Sequence, residues 1–342
     1  MTKRILGVLL VLVVLQCVLS GPSAAQSCIG KFATQVWNWP NPIPSGWFYF
    51  APYPAPFSYL IASWTASCPP PSWCPTCGKG GAKASEPINL TNGNTYIQQN
   101  DVSIPGLGGG LTLQRTWNSM WPAILSGFQT GIFGPNWRST YEERVFTGSG
   151  EYTGYMVYLR ADGGLWVFAA GTGSVWNLSA PLNVIATLTQ NGTTSWTLVF
   201  QNGEKRIFSF TSGSLTSIAD PNGNTTLLSY DGSNRLVTVT DPASRTLTFT
   251  YGSSSYPNVV TSLSSSVGIS LSYSYDTQGR LSQFTKPDQT TLTFTYSTQS
   301  LIAAVTDSNG KTLESHTYDS SGRGLTSSRA NGVEAVTISY PH

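Results

Sequence analysis

A tyrosine returns every twenty-odd residues through the last third of the chain. It stands at Tyr230, Tyr251, Tyr275, Tyr296, Tyr318 and Tyr340, at intervals of 21, 24, 21, 22 and 22. A fixed period of this length specifies a repeat architecture, in which each unit buries its apolar face against its neighbours. Three of these tyrosines open one signature. It runs Tyr230-Asp231-Gly232-Ser233-Asn234-Arg235-Leu236, then Tyr275-Asp276-Thr277-Gln278-Gly279-Arg280-Leu281, then Tyr318-Asp319-Ser320-Ser321-Gly322-Arg323-Gly324-Leu325.

The segments between tyrosines alternate as strands do. Leu247, Phe249 and Tyr251 share one face against Thr246, Thr248 and Thr250; Leu292, Phe294 and Tyr296 repeat this against Thr291, Thr293 and Thr295. Threonine suits an exposed or half-exposed sheet face. The companion strand of each unit spaces its apolar residues by three, as in Leu215 and Ile218, Leu236 and Val239, and Leu281 and Phe284. Either a bulge re-aims one of each pair, or both faces are partly covered. Asp and Gly in the connections favour tight turns. Each period is one β-hairpin with its connection, and consecutive hairpins add side by side because a lone hairpin is marginal. A calcium-binding role for the recurrent Asp is disfavoured, since calcium repeats are shorter and richer in Gly and Asp.

Composition agrees. Charged residues make up only 10% of the 342, and aromatics 12%. No sustained helical period occurs. The N-terminus has the pattern of a secretory signal: Lys3 and Arg4, an apolar run from Ile5 to Leu19, and Ser23-Ala24-Ala25 before a cleavage point. Gln16 before Cys17 argues against a lipoprotein. Loss of residues 1–25 removes two positive charges and leaves 16 Lys and Arg against 16 Asp and Glu. A neutral chain without a basic face is not built for nucleic acid. The mature chain has no run long enough to span a membrane as a helix.

Four cysteines remain: Cys28, Cys68, Cys74 and Cys77. In an exported chain an even number points to two disulfides, with the pairing open. The Cys74-Pro75-Thr76-Cys77 spacing also fits zinc, but no histidine lies near it. Residues 26–84 are rich in Pro and Trp and are expected to be an irregular segment. Their aromatics are packing material, or alternatively a sugar-stacking surface. A glycine-rich linker, 78–83, closes this segment.

No catalytic constellation emerges. His316 is placed in a strand and His342 is terminal, so a surface or strand-pairing role is expected for histidine. Glu142 and Glu143 are neighbours, expected on opposite strand faces. Gly106 to Gly110 lacks the Lys-Ser/Thr and helix of a phosphate loop. Asn89, Asn177, Asn191 and Asn224 fit N-glycosylation sequons, which matter only in a eukaryotic host. No cofactor and no metal site is expected.

The Tyr-Asp-x-x-Gly-Arg-Leu signature resembles that of Rhs/YD-repeat proteins. It departs at Asn234, in the Gly position, and at Gly324, which looks like an insertion. The upstream region resembles the domain of unknown function that precedes such repeats. Its marks are Asn89-Leu90-Thr91-Asn92-Gly93-Asn94, Ile104-Pro105-Gly106, Leu111 to Ser119 and Phe133-Gly134-Pro135-Asn136-Trp137. The resemblance covers about residues 85–342. It implies an all-β, open and curved ribbon of hairpins, part of a hollow shell that winds around a C-terminal toxin. The motif that closes such shells is not present. The expected division is a signal peptide at 1–25, the Pro/Trp/Cys-rich segment and linker at 26–84, a small β domain at 85–165 and repeats at 166–342. The function implied is an exported, non-enzymatic scaffold, the leading part or remnant of a toxin-encapsulating shell. Its partners would be a toxin domain or further repeats encoded downstream. The alternative is a surface adhesin that binds carbohydrate, with cell-surface glycans as partners. The structural residues implied are the signature positions themselves: Tyr230, Asp231, Arg235, Leu236, Tyr275, Asp276, Gly279, Arg280, Leu281, Tyr318, Asp319, Gly322 and Arg323.

Overall fold

The computed structural model describes residues 29–38, 47–52, 58–67, 71–75, 83–84, 88–252, 255–330 and 332–340. The chain divides into two compact units, Met1–Pro69 and Pro70–His342. Among the described residues the only helical turns are short 3-10 segments at Leu107–Gly109, Ala123–Phe128 and Gly150–Tyr152.

The first unit corrects one expectation. Instead of an irregular segment it holds an antiparallel three-stranded sheet of Ile29–Asn38, Trp47–Pro52 and Ser58–Ser67, with the third strand central. The prolines do not oppose this, because of where they fall. Pro40, Pro42, Pro44, Pro54 and Pro56 lie between strands, and Pro52 ends an edge strand, where a missing N–H does least harm.

The second unit is dominated by one antiparallel sheet of nineteen strands, from Arg144–Thr147 to Val333–Thr337, paired strictly in chain order. The sheet begins at Arg144, so residues 144–165 form its first strands and part of a third. In front of it stands a smaller sheet of Tyr96–Ile104, Leu111–Asn118 and Trp137–Ser139. This leader lays Ile97, Leu111, Leu113, Trp117, Phe133 and Trp137 against the inner face of the large sheet. There they join Leu247, Phe249, Leu271, Tyr273, Phe284 and Phe294 in one core. The inner positions of the repeat strands are buried and the Thr and Ser positions are half-buried or exposed.

The i, i+3 spacing resolves as a bulge. In Leu236–Thr240, Leu236 pairs with Tyr230 and Thr238 with Ser229, so Val237 is the extra residue. Leu236 and Val239 are both buried as a result. The same slip follows Val260, Leu281, Ile302 and Gly324. A bulge in every second strand re-aims the side chains and increases local twist. Gly324 is therefore not an insertion. It pairs with Tyr318 at the position that Leu281 fills opposite Tyr275. Glycine stands there because a Cβ would meet Ile88 and Thr95, at 2.8 and 2.3 Å.

Candidate functional site: the repeat latch and the docked leader

Each signature turn is a three-residue hairpin loop, in which the Asp and Arg N–H and C=O groups bracket a residue of positive φ. Asp231 N–H donates to Arg235 O at 2.9 Å and Asn234 N–H to Asp231 O at 2.9 Å. The φ values are +58° at Asn234, +74° at Gly279 and +81° at Gly322. A type I turn closed by a left-handed residue requires this conformation, which Gly and Asn adopt most easily. The departure at Asn234 thus preserves the geometry.

The aspartate organises the loop. Asp231 Oδ1 accepts the N–H groups of Ser233 and Arg235, both at 2.9 Å, while Oδ2 accepts Arg235 Nε at 2.7 Å. Asp276 with Arg280 and Asp319 with Arg323 repeat the pattern atom for atom. The backbone N–H of Arg235, then its guanidinium, hold the Asp231 carboxyl below the ordinary range. At Asp276 and Asp319 burial pushes the other way and the hydrogen bonds outweigh it. Sequence reasoning missed a fourth copy, Asp241 with Arg245, on the opposite rim of the sheet. The Asp-x-x-x-Arg spacing was its signal, but no tyrosine precedes it.

The arginines and tyrosines join one unit to the next. Arg235 Cζ lies 4.8 Å from the ring centroid of Tyr251, Arg280 4.4 Å from Tyr296 and Arg323 4.2 Å from Tyr340. Every recurring tyrosine donates its hydroxyl backward to the opening residue of an earlier bulged strand. Tyr230 reaches Leu215 O, Tyr251 Leu236 O, Tyr275 Val260 O, Tyr296 Leu281 O, Tyr318 Ile302 O and Tyr340 Gly324 O, at 2.6 to 3.0 Å. The period of the sequence is thus the reach of one phenol across one hairpin.

The leader docks through a buried charge. Arg115 is fully buried, with its guanidinium within 4.8 to 5.3 Å of the ring centroids of Trp137, Phe284, Tyr273 and Phe133. Its Nε and Nη2 donate to Asp101, the latter at 2.9 Å, and Tyr273 of the large sheet donates its hydroxyl to Asp101 at 2.8 Å. Burial opposes the Arg115 charge, but Asp101 outweighs it and raises the pKa. A bulge between Asn100 and Val102 sets Asp101 out of register. At the rims, Val260 N–H donates to Ile132 O at 2.8 Å and Gly324 N–H to Gly93 O at 2.9 Å. Gly134 has φ +95°, and a Cβ there would meet Gly279 O at 2.9 Å. The Gly106 to Gly110 loop lies against Asn224, Pro242 and Arg245. Gly106 and Gly108 allow this close approach between the loop and the large sheet.

Two family comparisons coincide with these two parts. Residues 85–168 match a domain of unknown function, DUF6531, and residues 211–246 and 275–312 match the RHS repeat. The chain carries RHS repeats behind a DUF6531 domain. The RHS repeat matches include the turns at Tyr230 and Tyr275, and the DUF6531 match includes Asp101, Arg115 and Trp137. No curated protein matches the chain. Among solved structures, the crystal structure of TcdB2-TccC3-Cdc42 is 14% identical, with a TM-score of 0.29, over 68% of this chain and 14% of that one. TcdB2-TccC3 without its hypervariable C-terminal region is 13% identical, with a TM-score of 0.29, over 68% and 15%. The Photorhabdus luminescens Tc holotoxin pore gives 14% identity and a TM-score of 0.27, over 69% and 14%. The RHS-repeat chain thus spans about one seventh of the length of those chains.

The remaining candidates fall as follows. Cys74 is disulfide-bonded, while Cys28, Cys68 and Cys77 lie outside the described residues. The side chains of the Trp-rich segment before Pro71 also lie outside them, as do the signal-like N-terminus and His342. His316 is in a strand but buried rather than on the surface. It stands at an inner position, with Glu314 Oε2 at 3.4 Å from Nε2. Glu142 and Glu143 precede the first strand instead of lying on it. They still point apart: Glu142 accepts from Ser139 and Ile132, and Glu143 from Tyr158 and Arg206. Asn89 is buried and donates its amide to Cys74 O and Pro75 O, which leaves that sequon inaccessible. No group of three metal-ligating side chains occurs among the described residues. No helix among them is long and apolar enough to cross a membrane.

Proposed function

We propose that this β-repeat scaffold is exported and non-enzymatic, and that it forms the leading part of an Rhs-type shell that encloses a toxin domain. The observation that carries this reading is the nineteen-stranded sheet in strict chain order, whose later strands repeat one bulged hairpin pattern. Each hairpin is completed only by its neighbour, through the tyrosine hydroxyl and the arginine stacked on the next ring. Such a sheet extends by addition of units and has no inherent stop. Its inner face is apolar and packs against the leader, while the outer face of the tyrosine-bearing repeat strands is largely threonine and serine. Catalysis would need a nucleophile with a base beside it, or two opposed acids, in an open site. The Asp–Arg pairs of the turns and the Asp101–Arg115 and Glu143–Arg206 pairs are engaged in structural contacts. Export rests on the basic and apolar N-terminus with its small residues at Ser23-Ala24-Ala25.

The DNA 3′ of the codon for His342 tests the shell. A reading frame that continues through further Tyr-Asp units into a C-terminal domain of different composition is expected. A stop codon followed by an unrelated gene would remove the shell reading and leave a free-standing scaffold. Export is tested by cell fractionation and N-terminal sequencing, with Gln26 expected as the first residue of the extracytoplasmic form.

A further inference from the structure

The two ends of the large sheet are not alike. The last strand, Val333–Thr337, presents its far side unpaired among the described residues, and a bulge opposite Ser327 and Arg329 makes it irregular. The first strand, Arg144–Thr147, is regular and carries no Pro or bulge, so its shortness and the Arg144 charge are the protections it has of its own as a sheet edge. Its own chain also covers it. Val145 N–H donates to Gly213 O at 3.0 Å, and Leu215 N–H donates to Glu143 O at 3.3 Å. These two bonds form an antiparallel bridge between Arg144 and Ser214. The Arg144 guanidinium adds a bond to Ser214 Oγ at 2.8 Å.

The bridge joins the first strand to the turn that opens the eighth, Leu215–Ala219. Eight strands therefore close into a ring, and the other eleven continue from it as an open sheet. Gly213 makes the closure sterically possible. Its φ is +67°, and a Cβ on it would stand 2.0 Å from Val145 O. Glu143 is fixed from inside the ring, where its carboxylate accepts Arg206 Nε at 3.0 Å and the Tyr158 hydroxyl at 2.9 Å.

We infer that the Glu143–Val145 to Gly213–Leu215 bridge is a lock. It withholds the Arg144–Thr147 edge from strand pairing with a second copy of this chain, so that the sheet is extended only from its other end. The inference does not depend on whether the sheet encloses a cargo. An exposed, regular edge is a template for another strand. Two copies whose first edges are released would pair those edges antiparallel about a two-fold axis.

The test uses the full chain and G213A. Hydrogen exchange is expected to show protected Val145 and Leu215 amides in the parent and loss of that protection in the variant. Protection at Leu292 and Phe294 should be retained and would report an intact sheet. Sedimentation should show concentration-dependent dimers for G213A and none through this edge for the parent. Adding V145P removes the N–H that a second copy would use, and should return G213A to monomer. If G213A fails to fold, R144Q, which removes the bond to Ser214 and the guanidinium's contact with the Phe128 ring but leaves the backbone in place, replaces it with the same readouts. Three outcomes would overturn the lock: protection unchanged in the opened variant, protection lost with no association at any concentration, or association that persists with V145P.

Discussion

The guanidinium of Arg280 lies over the ring of Tyr296, its Cζ 4.4 Å from the ring centroid, while its Nε is held by Asp276 at 2.7 Å. One side chain thus ties the turn it closes to the unit that follows. The pair is partly buried, so its contribution exceeds that of a surface ion pair and falls short of a core contact. R280M keeps the aliphatic stem and removes the charge. It is expected to lower stability by about 1–2 kcal/mol, from a cation–π contact and a partly screened ion pair together. Urea unfolding of parent and variant measures this. A loss that R280K restores fully would show that charge alone, and not the planar fork over the ring, is at work.

The tyrosine ladder separates into ring and hydroxyl. Y275A removes a core aromatic and is expected to cost ~3–5 kcal/mol. Y275F keeps the ring and loses only the bond to Val260 O, for about 0.5–1.5 kcal/mol. Equal losses from the two substitutions would mean that the hydroxyl, and not ring packing, sets the period.

Burial pushes the phenols of Tyr230, Tyr251, Tyr275, Tyr296 and Tyr318 above their ordinary range. The folded chain holds these protons more tightly than the unfolded chain. Their contribution is therefore complete below the unfolded value of about 10 and is lost as pH rises beyond it. Phenolate absorbance and circular dichroism followed together through an alkaline titration should show these rings ionising as the sheet melts. Ionisation of all of them in a still-folded chain would contradict the ladder. The depressed Asp231, Asp276 and Asp319 act at the other limb. Their contribution is present above about pH 4 and is lost as pH falls through their folded values.

The repeat was legible in the sequence because its physics is local. Tyr251, Leu247 and Phe249 alternate with threonines, and alternation maps directly onto a half-buried strand. The turn at Asp231 was legible for the same reason. The bulges were not, because a spacing of three between Leu236 and Val239 fits two geometries equally. Gly324 looked like an insertion because the residues that forbid a side chain there, Ile88 and Thr95, lie more than two hundred positions away. The sheet in Ile29–Ser67 was obscured by counting prolines without noting that they cluster between strands. The docking site could not be read at all. Asp101 and Arg115 are an ordinary acid and base until a bulge and the distant Tyr273 bring them into one box.

That box yields the sharpest test of how the leader is held. Arg115 is buried among four rings, with Asp101 as its only counter-charge among the described residues, and removal of one member of a buried pair strands the other. D101N is therefore expected to destabilise by about 3–5 kcal/mol, while the double substitution D101N/R115M recovers much of the loss. Trp137 packs beside Arg115 and Trp117 lies in the same core, against Tyr318 of the large sheet, so tryptophan emission should shift to the red as the leader leaves the sheet. If D101N alone is as stable as the parent, the pair does not hold the leader. If the double substitution is worse than the single one, the polar network itself, rather than relief of a buried charge, accounts for the docking.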